Sequence, residues 1–339
     1  MLRLNNFILI LVIWFLSLST AAAGEYLLSG QTMGTFYRIK FLSSKPVAKA
    51  LWQEKTDLRL KQVNARLSMY QKKSEISRFN QSEPNQKFRL SKDFYQVLLE
   101  CKNLHTLTQG AWDGTVKPLV DLWGFGTQDN SRRIPLAQEI TAALAKTGFD
   151  KLILADHSLT KTQPGVTLDL GSIAKGYGVD EIARLFRDSG VKDYLVEIGG
   201  ELAGSGRNKK GNPWAVGISR PEKIQASQGL YKVISLDNMV IATSGNYRNF
   251  FEHKGKTYSH IISPKTGFPV DTLVVSASVI AKNCTLADGL ATALMVMPPE
   301  KGIALTDRME DTECLIIKKQ GERLMPFKSK GFKNFEQDF

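Results

Sequence analysis

Histidine and cysteine are both scarce in this chain, at four and three of 339 residues. Cys101, Cys284 and Cys314 are odd in number and far apart, which argues against a disulfide framework. Cys101 falls on an apolar helical face and reads as a small buried hydrophobe. There is no internal repeat, no low-complexity linker and no break in composition, so nothing divides the chain into an array of units. Past Leu18 no apolar run is long enough to cross a bilayer. The one glycine-rich stretch that opens a helix, Leu168 to Asp180, fits neither the Walker loop nor the dinucleotide fingerprint.

The first two dozen residues have their own pattern. Arg3 precedes an apolar run from Phe7 to Leu18, and Ser19-Thr20-Ala21-Ala22-Ala23-Gly24 follows. A charged start, a short apolar centre and small residues predict a signal peptide over 1–23, cut after Ala23. With no cysteine at the cut, a lipid anchor is excluded. Residues 24–339 are then expected as one exported, periplasmic domain. The formal charge of +12 is spread along the chain. Its densest groups, Arg207 to Lys210 and Lys318 to Lys333, predict a loop and a basic C-terminal fringe over about 318–339. For an exported protein this favours anionic ligands or a nearby membrane surface over nucleic acid.

In order, Phe36 to Phe41 alternates as a strand after Thr32-Met33-Gly34-Thr35. Pro46 opens a helix carrying Val47, Leu51, Leu58 and Val63. Ser91 is placed to cap the next helix, which carries Phe94, Val97, Leu98, Cys101 and Leu104 and stops at Gly110. The aromatic and glycine residues of Pro118 to Gly126 read as a loop folded onto the core, and Pro135 to Lys146 as a short helix. Strands are expected at Lys151–Ala155, Tyr194–Ile198, Trp214–Ser219, Tyr231–Leu236, Met239–Ala242 and Leu273–Ile280. A hairpin is expected over Phe250–Ile262, turning at Lys254-Gly255. Ile173, Tyr177, Ile182 and Phe186 recur at helical spacing, with Asp180 four residues before Arg184 as a supporting pair. The sum is a compact α+β domain, two-lobed, with its ligand between the lobes.

Three places could carry chemistry. The first is the helix start at Asp169-Leu170-Gly171-Ser172-Ile173-Ala174-Lys175, where glycines admit a ligand and N–H groups face outward; a purely structural helix start fits equally. On the helix Leu286–Met297, Asp288 and Thr292 share a face. A carboxylate above a hydroxyl suits a hard cation such as Mg²⁺; a helix-dipole role for Asp288 and a back-bond from Thr292 are the alternative. His260, on a strand beside the Ser263-Pro264-Lys265-Thr266-Gly267 loop, is placed for a general base or a structural role. Ala242 to Tyr247 offers hydroxyls to a ligand, or is a turn.

Nine segments together resemble the ApbE family, in the family's order. They are Thr32–Thr35, Leu67–Tyr70, Trp112-Asp113, Leu119–Gly126, Asp169–Asp180, Glu197–Gly206, Ala242–Gly245, Tyr258–Gly267 and Ala287–Leu294. The resemblance implies a T-fold-related domain and an FAD:protein FMN transferase. Such an enzyme uses Mg²⁺, splits FAD, joins FMN to a threonine or serine hydroxyl of an acceptor protein and releases AMP. By motif, Asp288, Thr292 and the Ser172 carbonyl resemble metal ligands. Met33, Tyr70, Ala111, Trp112, Asp113, Asp169, Lys175 and Ile262 resemble FAD-contacting positions, and His260 the catalytic base. Exported respiratory electron-transfer subunits are the acceptors the family implies; a protein that binds or hydrolyses FAD without an acceptor is the alternative. One departure is visible: the family often carries Asp where Ser263 stands.

Overall fold

The computed structural model describes residues 24–126, 132–221, 229–246, 249–270 and 273–337. The expected signal segment and Tyr247 lie outside them. The described chain opens with a hairpin, β1 (Gly24–Thr32) and β2 (Thr35–Ser43). Its turn residues Met33 and Gly34 have φ of 51° and 70°. Two positive φ values in succession make the tight turn whose twist suits antiparallel strands. Next come α1 (Lys49–Leu67), α2 (Glu75–Gln81), β3 (Phe88–Arg89), α3 (Lys92–Leu107), α4 (Lys117–Leu122) and α5 (Ala137–Leu144). The hairpin β4 (Leu152–Ala155) and β5 (Ser158–Lys161) precedes α6 (Ala174–Asp188), β6 (Tyr194–Ile198) and β7 (Glu201–Ser205). Then β8 (Trp214–Ser219), β9 (Leu230–Leu236), β10 (Met239–Gly245), β11 (Phe250–His253), β12 (Lys256–Ser259) and β13 (Val274–Ala281) follow. The chain ends with α7 (Cys284–Val296), α8 (Pro299–Thr306), β14 (Glu313–Gln320), β15 (Arg323–Lys328) and β16 (Glu336–Gln337).

Eight strands form one antiparallel sheet in the order β1-β2-β6-β7-β10-β13-β14-β15. Helices α1, α6 and α7 pack on one face. The small sheet β16-β9-β8 covers part of the other, where Val216, Ile218, Ile234 and Leu236 meet Ile241, Ile280, Leu315 and Ile317. A separate core of Leu119, Trp123, Ile140, Ala143 and Ile262 joins α4 and α5 to the β11–β12 hairpin. The result is the expected single α+β domain, with a sheet lobe and a smaller lobe.

Several expectations change. β13 does not alternate: seven of its eight residues are buried, because helix and second sheet cover both its faces. Leu51 and Leu58 face water; α1 buries Val63 as expected, but with Thr56, Leu60 and Leu67. Pro118 opens the helix α4 rather than a loop, as its preset φ allows in a first turn. Ala242–Gly245 is strand, paired with β13, and not a turn. The basic tail is no fringe up to Lys328: β14 and β15 are the last strands of the sheet, and Phe332 is fully buried. Basic residues at the end of β14 and on the exposed edge strand β15 look like a charged tail in composition alone. Asp180 pairs not with Arg184 but with the start of α7.

The helices α6 and α7 cross closely because Gly176 has no side chain. A Cβ there would strike the Cys284 carbonyl and stand 2.8 Å from Asp288 Cβ. Gly176→Ala is therefore expected to destabilise the fold by about 1–3 kcal/mol, the usual cost of overpacking. Urea denaturation checks it, and a wild-type midpoint would mean the helices stand further apart.

Candidate active site

The crossing of α6 and α7 builds the site. Asp180 of α6 accepts from the N–H groups of Cys284 and Thr285 at 2.9 and 2.8 Å. Asn283 caps the same helix start, accepting from Leu286 N at 2.8 Å. One turn further on, Asp288 reaches back and its Oδ2 accepts from Gly176 N at 2.9 Å. In a regular helix that N–H would bond to the Ser172 carbonyl. Ser172, however, precedes the N-cap Ile173, so its carbonyl lies outside the ladder, and Gly176 N is one of the unpaired donors of the helix start that Asp288 satisfies.

Lys175 Nζ lies 2.7 Å from Glu201 Oε1 and 3.6 Å from Asp288 Oδ1. Both carboxylates are almost wholly buried, at 2 % exposure each. Burial works against the Lys175 ammonium, but Asp288 and Glu201 more than offset it and hold the group charged. Burial also raises both carboxyls, Glu201 up to about 7, with Asp288 adding to the shift and Lys175 opposing it. With one ammonium between two carboxyls, ionising both leaves one negative charge uncompensated, which adds to burial in pushing Glu201 toward its neutral form, and the buried Glu201 Oε2 has no hydrogen-bond partner. A second cation fits that deficit.

The oxygen donors around it are hard ones. Thr292 Oγ1 is 2.8 Å from Ser244 Oγ and 3.4 Å from the Asp288 carbonyl of its own helix. Among the described residues no cluster of three or more His, Cys, Asp or Glu side chains could hold a metal ion. Asp288 and Thr292 could hold a hard cation such as Mg²⁺, which keeps waters and substrate oxygens among its ligands and so needs few from the protein.

Sequence reasoning missed Glu201. The signal was present: Gly199-Gly200, with φ of 62° and 108°, is a two-residue hairpin turn that pairs Ile198 with Glu201. A Cβ on Gly199 would meet Thr35 Cγ2 at 2.8 Å and Lys175 Cδ at 3.3 Å. The β6–β7 turn thus sits against both the lysine and the β1–β2 turn. Ser244, within a segment noted for its hydroxyls, is brought to Thr292 by β10.

Other predicted positions lie around this centre. Trp112 donates from Nε1 to Ser172 Oγ at 3.0 Å. Asp169 accepts from Gly171 N at 2.9 Å, and burial raises its carboxyl. Met33 packs over Gly178, where an added Cβ would lie 2.9 Å from its methyl. Tyr70 is 81 % exposed, with its ring open to a planar ligand, and the neighbouring Met69 borders Gly171. Ala111 is buried at the end of the α3 turn. The Asp113 carboxylate is already occupied: it accepts from Thr115 N and Oγ1, from Phe149 N, and lies 3.2 Å from His105 Nδ1. Ile262 packs its side chain into the small core beside Trp123.

His260 belongs to the smaller lobe. Its Nδ1 is 2.9 Å from the Asn249 carbonyl, which also accepts from His260 N at 3.1 Å. A carbonyl can only accept, so Nδ1 carries hydrogen and Nε2 keeps its lone pair in the neutral ring. Burial lowers the pKa of the ring below its ordinary 6.5, so the neutral form prevails at pH 7. At Ser263 the hydroxyl accepts from Thr266 N at 3.3 Å. An aspartate at that position would close the same loop in the same way.

The ApbE family profile matches residues 33–316. The FAD:protein FMN transferase of Vibrio cholerae is 42% identical over 309 residues, covering 91% of this chain and 92% of its own. Those of Haemophilus influenzae and Escherichia coli are 39% and 37% identical, covering 86% and 93% of this chain and 86% and 90% of their own. Among solved structures, the flavin transferase ApbE from Vibrio cholerae superposes with a TM-score of 0.84 at 40% identity, over 92% of this chain and 99% of that one. The apo flavinyl transferase ApbE of Pseudomonas stutzeri gives 0.84 at 35% identity, over 92% and 97%.

Removing the lysine tests the charge arrangement. Lys175→Met leaves two buried carboxylates facing each other and is expected to destabilise the metal-free fold by roughly 3 kcal/mol, the low end for losing one partner of a buried pair, since Lys175 keeps 28% exposure. Adding Glu201→Gln should restore part of that in the same urea titration. No recovery in the double variant would mean the carboxylates do not repel.

Proposed function

The chain belongs to the ApbE family, and from that premise we propose that it is an FAD:protein FMN transferase, moving FMN from FAD to a threonine or serine hydroxyl of an acceptor protein. The observation that carries this reading is the buried Lys175–Glu201–Asp288 cluster, in which two carboxyls share one ammonium, with Thr292 one turn along α7 from Asp288. Asp288, Thr292 and the Ser172 carbonyl would hold Mg²⁺. When bound, that ion supplies charge neutralisation for a diphosphate.

In the reaction, the acceptor oxygen forms a bond to the FMN phosphorus and the bond from that phosphorus to the bridging oxygen breaks. AMP takes the bridging oxygen and leaves; the hydroxyl proton passes to Nε2 of His260. Lys175 offsets charge on the phosphates, while Tyr70 and Met33 offer an aromatic face and a thioether to the flavin. Positioning and charge neutralisation carry most of the catalysis in phosphoryl transfer, and a general base adds roughly 10²–10⁴-fold. The basic charge of the chain favours an anionic dinucleotide. The apolar run before Ala23 directs the protein to the periplasm, where exported electron-transfer subunits are the natural acceptors.

The test is to mix residues 24–339 with FAD, Mg²⁺ and candidate acceptor domains, and to weigh the acceptors for added FMN. Asp288→Ala is expected to abolish transfer and AMP release; AMP release at the wild-type rate would remove the metal assignment. His260→Ala should bind FAD normally and transfer no flavin. Free FMN without labelled acceptor would favour a hydrolase.

The lowered pKa of His260 fixes a pH dependence. Base catalysis needs the neutral ring, so kcat/KM should hold as pH falls through 6.5 and drop only below it. An acidic limb centred above 6.5 would contradict a neutral, buried base.

A further inference from the structure

The contacts around His260 converge on a side chain that the mechanism above does not use. Arg132 donates from Nη1 to the Phe250 carbonyl at 2.9 Å and from Nη2 to Asn249 Oδ1 at 3.0 Å. The same guanidinium lies 5.4 Å from the centroid of the Phe125 ring. Phe125 meets His260 edge-on, with 6.4 Å between ring centroids, and meets Phe251 at 5.6 Å. Asn249, gripped by that fork, is the residue whose carbonyl receives both His260 N and Nδ1. One planar cation therefore fixes the backbone that holds the ring and the aromatic side chain against which the ring rests.

We propose that Arg132 is a positioning residue for His260, locking Asn249 so that its carbonyl selects the Nδ1–H tautomer and leaves Nε2 open toward the acceptor hydroxyl. The proposal rests on the reading of His260 as the base. Its chemical content is the tautomer. Released from the carbonyl, a neutral imidazole places hydrogen on either nitrogen, and a ring with hydrogen on Nε2 presents a donor where the reaction needs an acceptor. Lysine is a poor substitute, because its ammonium lacks the rigid planar fork that reaches both the Phe250 carbonyl and Asn249 Oδ1 while lying over Phe125. Arg132 is exposed, so removing it opens no cavity in the core.

The experiment uses protein labelled with ¹⁵N-histidine, with His260→Gln to assign the ring signals, and compares the wild type with Arg132→Ala and Arg132→Lys. Alongside, kcat and KM are measured with FAD, Mg²⁺ and an acceptor domain whose hydroxyl does not yet carry FMN. The wild-type ring should show hydrogen on Nδ1 only. Arg132→Ala should show the Nε2–H tautomer as well, with kcat down on the order of ten- to a hundredfold, as slight misplacement of a catalytic group allows. KM for FAD should stay within about twofold, since uniform binding of the dinucleotide is untouched. Arg132→Lys should resemble Arg132→Ala, and added guanidinium ion should restore part of the rate to the alanine variant. A His260 tautomer unchanged in Arg132→Ala overturns the proposal. A shifted tautomer with undiminished transfer also overturns it as a statement about catalysis, and in that case it is the base role of His260 that has failed.

Discussion

Two helices exchange carboxylates, and the rest of the site depends on that exchange. α6 gives Asp180 to the first N–H groups of α7, and α7 gives Asp288 to the N–H of Gly176 near the start of α6. Each carboxylate lies where a helix start presents partial positive charge and unpaired donors. The exchange is possible only at short range, which is why glycine stands at 176. It has a chemical by-product: a buried carboxylate is fixed beside a lysine. The fold's own helix packing thus prepares an oxygen-lined, electronegative place, and Glu201 deepens it from the sheet side.

Much of this was legible in the sequence, and what was missed has a physical pattern. Periodicity found α3, α6 and α7, because each buries a defined stripe or, for α7, nearly its whole surface. The same reading misphased α1, whose buried set includes Thr56 and excludes Leu51 and Leu58. Helix caps and glycine stops were readable because they are local. Asp180 was not: its partners, Cys284 and Thr285, are more than a hundred residues away, and local spacing offered Arg184 as a tempting substitute. Asp288 and Thr292 were legible as a pair on one face, while Glu201 needed the register of a hairpin to be worked through. Charge totals misled at the C-terminus, where the lysines of β14 sit at the end of a strand whose first half is buried on both faces.

The turns show how backbone rules place side chains at the site. β1–β2 and β6–β7 are both closed by two residues of positive φ, and Gly199 N donates to the Phe36 carbonyl at 3.0 Å. The two turns therefore stand side by side at one end of the sheet. Three of the four turn residues are glycine, the residue this conformation favours, but the fourth is Met33. A long side chain in the left-handed region costs of order 1 kcal/mol or more and persists where surroundings impose it. Here Met33 is held over Gly178 of α6, one turn from Lys175. A strained residue packed against the site helix is what a ligand-contacting role would ask for.

If His260 is the base, as proposed, its separation from the charged cluster has an electrostatic reason. A histidine beside Asp288 and Glu201 would be drawn into its protonated form, as opposite charges raise its pKa. Protonated, it could not accept a proton from a hydroxyl at neutral pH. His260 avoids this by belonging to the other lobe, among Phe125, Phe251 and Tyr258, where burial is the leading influence on its pKa and a backbone carbonyl is its polar partner. His105 shows the alternative within the same chain: paired with Asp113, it is pushed toward the charged form. On the proposed reading, one domain would keep its cation site and its neutral base apart by building them on different cores. The expected substrate, a dinucleotide long enough to span both, is the piece that would bring the two regimes to one phosphorus atom.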